Sequence, residues 1–504
     1  MFIPERSAKE TFRTFVILLD GTGDSVDEDV TNIVLLKNML LDSEKEDSEQ
    51  MVFYQPGIGS SMTGFDEQFD DGKAHSWKSW LHRTWDQAFA SGFSDHVIAP
   101  YRWLAHRYRD GDRICIFGFS RGAYTARVLA GMITAVGLLP KGRASPAEAQ
   151  AAYNLYDNFA DLPTASAASK EQRDAKWSAL RSDFQEFKAK NKSREVPIEF
   201  LGVWDTVNSV GYKRAIRLGF TRTNDSVVTF RHAIALDEHR VKFKQNNWSG
   251  PAKDKIPNPG FKTNDIQSSK PKTDVEEVWF AGCHCDIGGG SVLNGTRPNL
   301  AHISLRWMIR ECFAKNTGML FDSKGIEVIG IDPSSLYPGA KRSPPNPSFF
   351  TSGVGQIAVV EPEGWGPYLK SWIWSKKGTA LEPPNKSEDQ LDAADALAPA
   401  YDQLALKPHK WALMEQMGVT KERFKDGKWQ EVSEKNLSHG RTIPPLEELH
   451  GGKIKVHWTV RRRMESTFKN GEAYVPLARV GYAENFDNKI HFTEAMKKSV
   501  EWVA

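Results

Sequence analysis

The sequence predicts an α/β protein: a mostly parallel sheet with helices on both faces. Three observations carry that expectation. Apolar runs recur as continuous stretches rather than alternating ones, as in strands buried on both faces. Stretches with helical spacing lie between them, the pattern of a layered α/β architecture. Four of the runs end on a residue able to do chemistry, Asp20, Ser120, Asp205 and His284. In open parallel sheets, chemistry collects at the carboxyl ends of the strands.

The elements follow in order. Phe15 to Leu19 is the first strand, stopped by Asp20-Gly21-Thr22-Gly23, and Met51 to Tyr54 is the second, followed by Pro56-Gly57. Ser94 to Arg109 reads as a helix: Ser94 can cap it, Val97, Ile98, Tyr101, Leu104 and Tyr108 share a face, and Gly111 stops it. Ile114 to Phe117 is the third strand. The helix after it turns Ala126, Leu129, Ala130 and Ile133 inward. Residues 145–192 form a helical insertion, with Trp177, Leu180 and Phe184 at helical intervals. Ile198 to Trp204 is a strand ending at Asp205. The stretch Arg231 to Glu238, which carries His232, is expected to be helical. Residues 250–275 read as a loop punctuated by Pro251, Pro257, Pro259 and Pro271. Val275 to Ala281 is the next strand, ending at Gly282-Cys283-His284, and a helix near Leu300 to Ala314 follows.

Beyond this point the rhythm fades. The expected division is a catalytic domain over residues 1–317 and a Trp-rich C-terminal accessory or lid region over 318–504. Eight of the 16 tryptophans lie after residue 300, among them Trp365, Trp372, Trp374 and Trp411. Tryptophan suits a boundary between apolar and wet surroundings. A lipid-facing lid and a packed accessory layer both fit.

Composition excludes several classes. Hydrophobic content of 40% and charged content of 26% are ordinary globular values. A formal net charge of +2 gives no reason to expect a nucleic-acid partner. The segment Met1 to Arg13 lacks the apolar centre of a signal peptide, and Val128 to Leu139 is too short to span a bilayer. A cytoplasmic protein is expected. Four cysteines do not make a disulfide framework. Cys283 and Cys285 flank His284, but no second ligand pair accompanies them for zinc, so neither a metal nor a cofactor is expected.

The densest chemical signal is Gly118-Phe119-Ser120-Arg121-Gly122 between a strand and a helix. That context is a nucleophile elbow: serine at a sharp, strained turn, with Gly118 and Gly122 small where strand and helix pass closely. A serine hydroxyl needs a base, and the base an orienting acid. The chain order Ser120, Asp205, His284 is that of α/β hydrolases. His284 would take the Ser120 proton, and Asp205 would hold its tautomer. His232 is the alternative base and Asp286 the alternative acid. The oxyanion hole would use the backbone N–H of Arg121 and one from the Gly21-Thr22-Gly23 loop, Thr22 in particular. Asp20 could hold a metal or order that loop.

Five segments resemble the catalytic domain of type VI secretion phospholipase effectors, a family that also includes α/β-hydrolase-like proteins of bacteria and fungi. They are Leu18-Leu19-Asp20-Gly21-Thr22, Gly118 to Tyr124, Gly202 to Val207, Arg231-His232-Ala233 with Asp237-Glu238, and Trp279 to Gly290. The resemblance covers roughly residues 12–315. It implies an α/β-hydrolase-like core, a Ser-Asp-His triad with Ser120 and Asp205 at the motif positions, and hydrolysis of carboxylic esters such as phospholipids. The overall texture resembles the intracellular fungal branch. A lipid or small ester is the expected substrate, with peripheral membrane contact as a candidate. Two rival functions remain open: a metal-dependent phosphoesterase built on Asp20, Asp205, His284 and Asp286, and a non-catalytic binding protein on a hydrolase scaffold.

Overall fold

The continuous apolar runs form the middle of an eight-stranded sheet. The computed structural model describes residues 1–6, 10–21, 30–42, 48–57, 85–162, 169–207, 219–221, 224–248, 273–336, 342–345, 355–360, 384–406, 415, 418–425, 428–444, 449, 451–480, 490–491 and 499–504. The expected loop at 250–275 lies almost wholly outside these residues, as do Trp365, Trp372, Trp374 and Trp411.

The strands of the large sheet are β1 (Thr14–Leu19), β2 (Gln50–Gln55), β3 (Arg113–Phe119), β4 (Ile198–Trp204), β5 (Val227–Ala235), β6 (Asp274–Phe280), β7 (Ile454–His457) and β8 (Val500–Val503). Their spatial order is β8-β7-β6-β5-β4-β3-β1-β2. Every pairing in this sheet is parallel. The chain first steps outward from β1 to β2, then returns to place β3 on the other flank of β1. That reversal is a topological switch point, where the loops after two neighbouring strands part and leave a crevice. Asp20-Gly21 follows β1 and Ser120 follows β3, so both lie at the switch point.

All six residues of β1 are buried because helices cover both faces. Phe15, Ile17 and Leu19 join one core with Val97, Tyr101, Leu129 and Ile133. Val16 and Leu18 join the other, with Ile33, Leu36, Leu305 and Met308. The first layer holds α1 (Trp85–Arg107), α2 (Ser120–Val136), α3 (Pro146–Asp157) and α4 (Lys170–Asn191). Ser145 and Ser169 start the last two with capping boxes completed by Glu148 and Gln172. Leu180 and Phe184 turn inward from α4, and Phe184 meets Phe159. The opposite layer includes the helices Asn32–Met39 and Ala301–Ala314.

One expectation is corrected. His232 does not lie in a helix; it is in the middle of β5. The run Val227-Val228-Thr229 before it is β-branched, and the strand is buried on both faces from Thr229 onward, so its apolar residues show no alternation. The region after residue 317 contributes to the sheet itself. It supplies β7 and β8, which extend the sheet beyond β6 over a third core containing Ile234, Trp279, Ile454, Val456 and Val500. Of the C-terminal tryptophans described, Trp458 is buried and Trp502 packs against that third core.

Ser120 adopts φ +57°, a left-handed conformation that costs an L-residue energy. Close packing sustains it. A Cβ on Gly118 would lie 2.5 Å from the Gly122 carbonyl oxygen, and one on Gly122 would overlap the carbonyl oxygens of Leu19 and Asp20. Gly122→Ala is therefore expected to destabilise the fold by about 1–3 kcal/mol. A lowered urea midpoint checks this; an unchanged midpoint would mean the turn at Ser120 and β1 can separate freely.

Candidate active site

Three side chains from three strand ends form one hydrogen-bonded chain. Ser120 follows β3 and opens α2, Asp205 follows β4, and His284 lies beyond β6 at the start of the short helix His284–Gly288. The Ser120 Oγ is 2.7 Å from His284 Nε2, and His284 Nδ1 is 2.6 Å from Asp205 Oδ2. The carboxylate can only accept, so Nδ1 carries the ring proton and Nε2 is left to accept from the hydroxyl. All three residues are buried, Asp205 completely.

Each is held in place by its surroundings. Asp205 turns at φ +42° directly after β4, and its Oδ1 accepts the Ala235 N–H at 2.8 Å. The His284 ring stacks on Phe119 at 4.7 Å and meets the edge of Phe243 at 4.9 Å. Gly288 makes room for this stack, since a Cβ there would collide with the Phe119 ring. The His284 backbone N–H donates to Glu238 Oε2 at 3.2 Å. The preceding turn is tied by Asp237, whose carboxylate accepts from the Gly282 N–H and the Tyr474 hydroxyl, both at 2.7 Å.

Charges around the site are paired. Burial would raise the Asp205 carboxyl, but the Arg441 guanidinium and the His284 ring overcome it and hold it below the usual carboxylate range. Glu238 resists burial in the same way: Arg240, at 2.7 Å and 2.9 Å, brings it down to about 2. Burial pushes His284 below its ordinary value despite Asp205, so the ring is neutral near pH 7 and can accept a proton.

The other sequence candidates have separate partners. His232 is buried; its Nε2 accepts the Thr206 N–H at 3.1 Å, and its Nδ1 donates to Glu277 at 2.8 Å. With both nitrogens engaged, it supports the backbone next to Asp205. Asp286 accepts from the N–H groups of Cys283 at 2.8 Å and Tyr401 at 3.0 Å. Asp20 accepts from Thr31, Tyr54 and the Gly21 N–H, the last at 2.7 Å. The Gly21 amide is thus engaged with the neighbouring carboxylate. Thr22 and Gly23 lie outside the described residues. Arg121, early in α2, carries its N–H at the positive end of that helix. Among the described residues no group of three His, Cys, Asp or Glu side chains could hold a metal ion.

Glu238 and Arg441 have no assigned part in the sequence reading. Glu238 sits in a segment that carries a family resemblance, a usable signal. Arg441 has none, because its partner is more than two hundred residues away.

A parallel α/β sheet with a serine–histidine–aspartate chain at its strand ends defines the class of protein. Residues 13–311 match the family described as T6SS, phospholipase effector Tle1-like, catalytic domain, and the chain belongs to that family. An uncharacterized protein of Saccharomyces cerevisiae is 27% identical over 561 aligned residues, covering 89% of this chain and 79% of the relative. Among solved structures, an uncharacterized protein from Pseudomonas aeruginosa shares 16% identity at a TM-score of 0.31, over 61% of this chain and 46% of that one. The Tle1 effector bound to the VgrG spike of the type 6 secretion system shares 16% at 0.29, over 58% and 53%. The chain thus spans about half the length of these two solved chains. No helix among the described residues is long and apolar enough to cross a membrane.

Burial pushes the Asp286 carboxyl up to about 7. A carboxyl raised on folding lowers stability above its folded pKa, and that cost disappears as pH falls towards its unfolded value. The stability of Asp286→Asn relative to wild type should therefore decline between pH 8 and pH 5. Urea midpoints of both proteins at the two pH values measure it; a constant difference would mean that Asp286 is ionised in the fold throughout this range and its carboxyl is not raised.

Proposed function

We propose that this protein is a serine hydrolase of lipid-like carboxylic esters, working through an acyl-enzyme. The observation that carries the reading is the unbroken chain Ser120 Oγ, His284, Asp205, with contacts of 2.7 Å and 2.6 Å. Family membership supports the lipid-like substrate, since the family is one of phospholipase effectors.

In this reading Ser120 Oγ attacks the ester carbonyl carbon while its proton passes to His284 Nε2. Asp205 stabilises the resulting imidazolium and keeps the ring in the productive tautomer. The carbonyl oxygen becomes an oxyanion beside the start of α2, where the Arg121 N–H donates to it. The tetrahedral intermediate collapses, the C–O bond to the alcohol breaks, and His284 returns its proton to the leaving oxygen. Water then repeats the sequence on the acyl-serine, releasing the acid and restoring the hydroxyl. The functional unit extends past residue 317, because β7, β8 and Arg441 belong to the same sheet and site. A cytoplasmic location and peripheral contact with lipid surfaces complete the proposal.

A fluorophosphonate probe, mapped by mass spectrometry, together with hydrolysis of p-nitrophenyl butyrate, tests it. Label is expected on Ser120 in wild type and in Asp286→Asn, and absent in Ser120→Ala and His284→Ala. Asp205→Asn should reduce hydrolysis on the order of 10⁴-fold. Hydrolysis that survives Ser120→Ala, or label lost in folded His232→Ala but kept in His284→Ala, would overturn the assignment.

A further inference from the structure

We propose that Arg441, which lies beyond the matched family region, is a positioning residue whose guanidinium clamps Asp205, orienting His284 and neutralising the charge beside it. This rests on the serine-hydrolase reading above and extends it to the C-terminal part of the chain.

The clamp uses the whole guanidinium. Arg441 Nη2 donates to Asp205 Oδ2 at 2.7 Å, and Nη1 donates to Oδ1. The remaining donors reach backbone carbonyls: Nη1 to Ala235 at 3.2 Å, Nη2 to Phe243 at 2.7 Å, and Nε to Phe243 at 3.1 Å. Such a fork fixes the plane of a carboxylate as well as its position. Asp205 Oδ2 is shared between the fork and His284, so the direction in which it meets the ring is set by Arg441. The same guanidinium holds the backbone of Phe243, whose ring walls His284. Acid and aromatic wall are therefore registered by one side chain, itself completely buried.

The electrostatic consequence follows from counting charges. The groups facing His284 are Asp205 on one side, Glu238 and Arg240 on another, and the Ser120 hydroxyl. Glu238 is neutralised by Arg240, and Asp205 by Arg441. Protonating His284 thus adds an uncompensated positive charge to a buried, neutral set. Without Arg441, the same proton would neutralise a lone buried carboxylate.

The test compares full-length wild type, Arg441→Gln and Arg441→Lys. The His284 ring is titrated by NMR of its imidazole nitrogens, and fluorophosphonate labelling of Ser120 is timed across pH. Arg441→Gln should move the His284 midpoint up by about 1–2 pH units and shift the acid limb of labelling with it. Arg441→Lys keeps the charge and loses the fork. Its midpoint should stay near wild type, while labelling at the optimum slows by about tenfold or more. A midpoint that is the same in Gln and wild type, or that moves equally in Gln and Lys, would reduce Arg441 to a packing role. So would a Lys variant that labels at the wild-type rate. Failure of wild type to label at Ser120 would sink the hydrolase reading instead, and the His284 titration would still decide the clamp.

Discussion

A carboxylate sealed from water dictates much of this architecture. Asp205 is fully buried, and an ion in that position is tolerated only if its lone pairs are met by charged and neutral donors together. The protein meets it from four directions: the Ala235 amide on the neighbouring strand, the His284 ring, and both arms of Arg441. Those donors come from β5, from the turn after β6 and from a segment far down the chain. Satisfying one side chain thus fixes the relative placement of most of the sheet's central half. The second buried pair, Glu238 with Arg240, repeats the solution one layer out and holds the His284 backbone.

The strained serine depends on a different constraint, shape. A positive φ at Ser120 persists because α2 starts almost in contact with the end of β1. Gly122 leaves room where α2 meets the end of β1, Gly118 leaves room where β3 meets α2, and Gly288 does the same on the far side of Phe119. The stack of Gly288, Phe119 and His284 then links the strand that leads to Ser120 with the helix that begins at His284 through direct ring contact. Backbone strain and imidazole orientation are coupled through this one aromatic side chain.

Much of this was legible in the sequence, for physical reasons that also mark where legibility stops. Strands buried on both faces give unbroken apolar runs, so β1, β3, β4 and β6 stand out. The elbow stands out because close approach demands glycine at fixed spacing. β5 does not, because Thr229, Arg231 and His232 are buried in it, the last two with charged partners, and they break the run in a way that mimics an amphipathic helix. β7 and β8 are four residues each, too short to carry a pattern. Arg441 is invisible for a deeper reason. A single charged residue in a loop has no periodicity, and its significance lies in a partner that only the folded chain brings near.

The order of strands has a consequence in time. β6 is made well before β7 and β8, which complete its open flank, and before the segment that carries Arg441. On the ribosome, the nascent sheet must therefore wait with one exposed edge while the intervening chain is synthesised, the condition under which strand edges invite wrong partners. The carboxylate at its centre stays uncompensated over the same interval. Ser120, Asp205 and His284 are all translated early, yet the arginine that pairs with Asp205 emerges late, so the hydrogen-bonded set closes only once that late segment arrives.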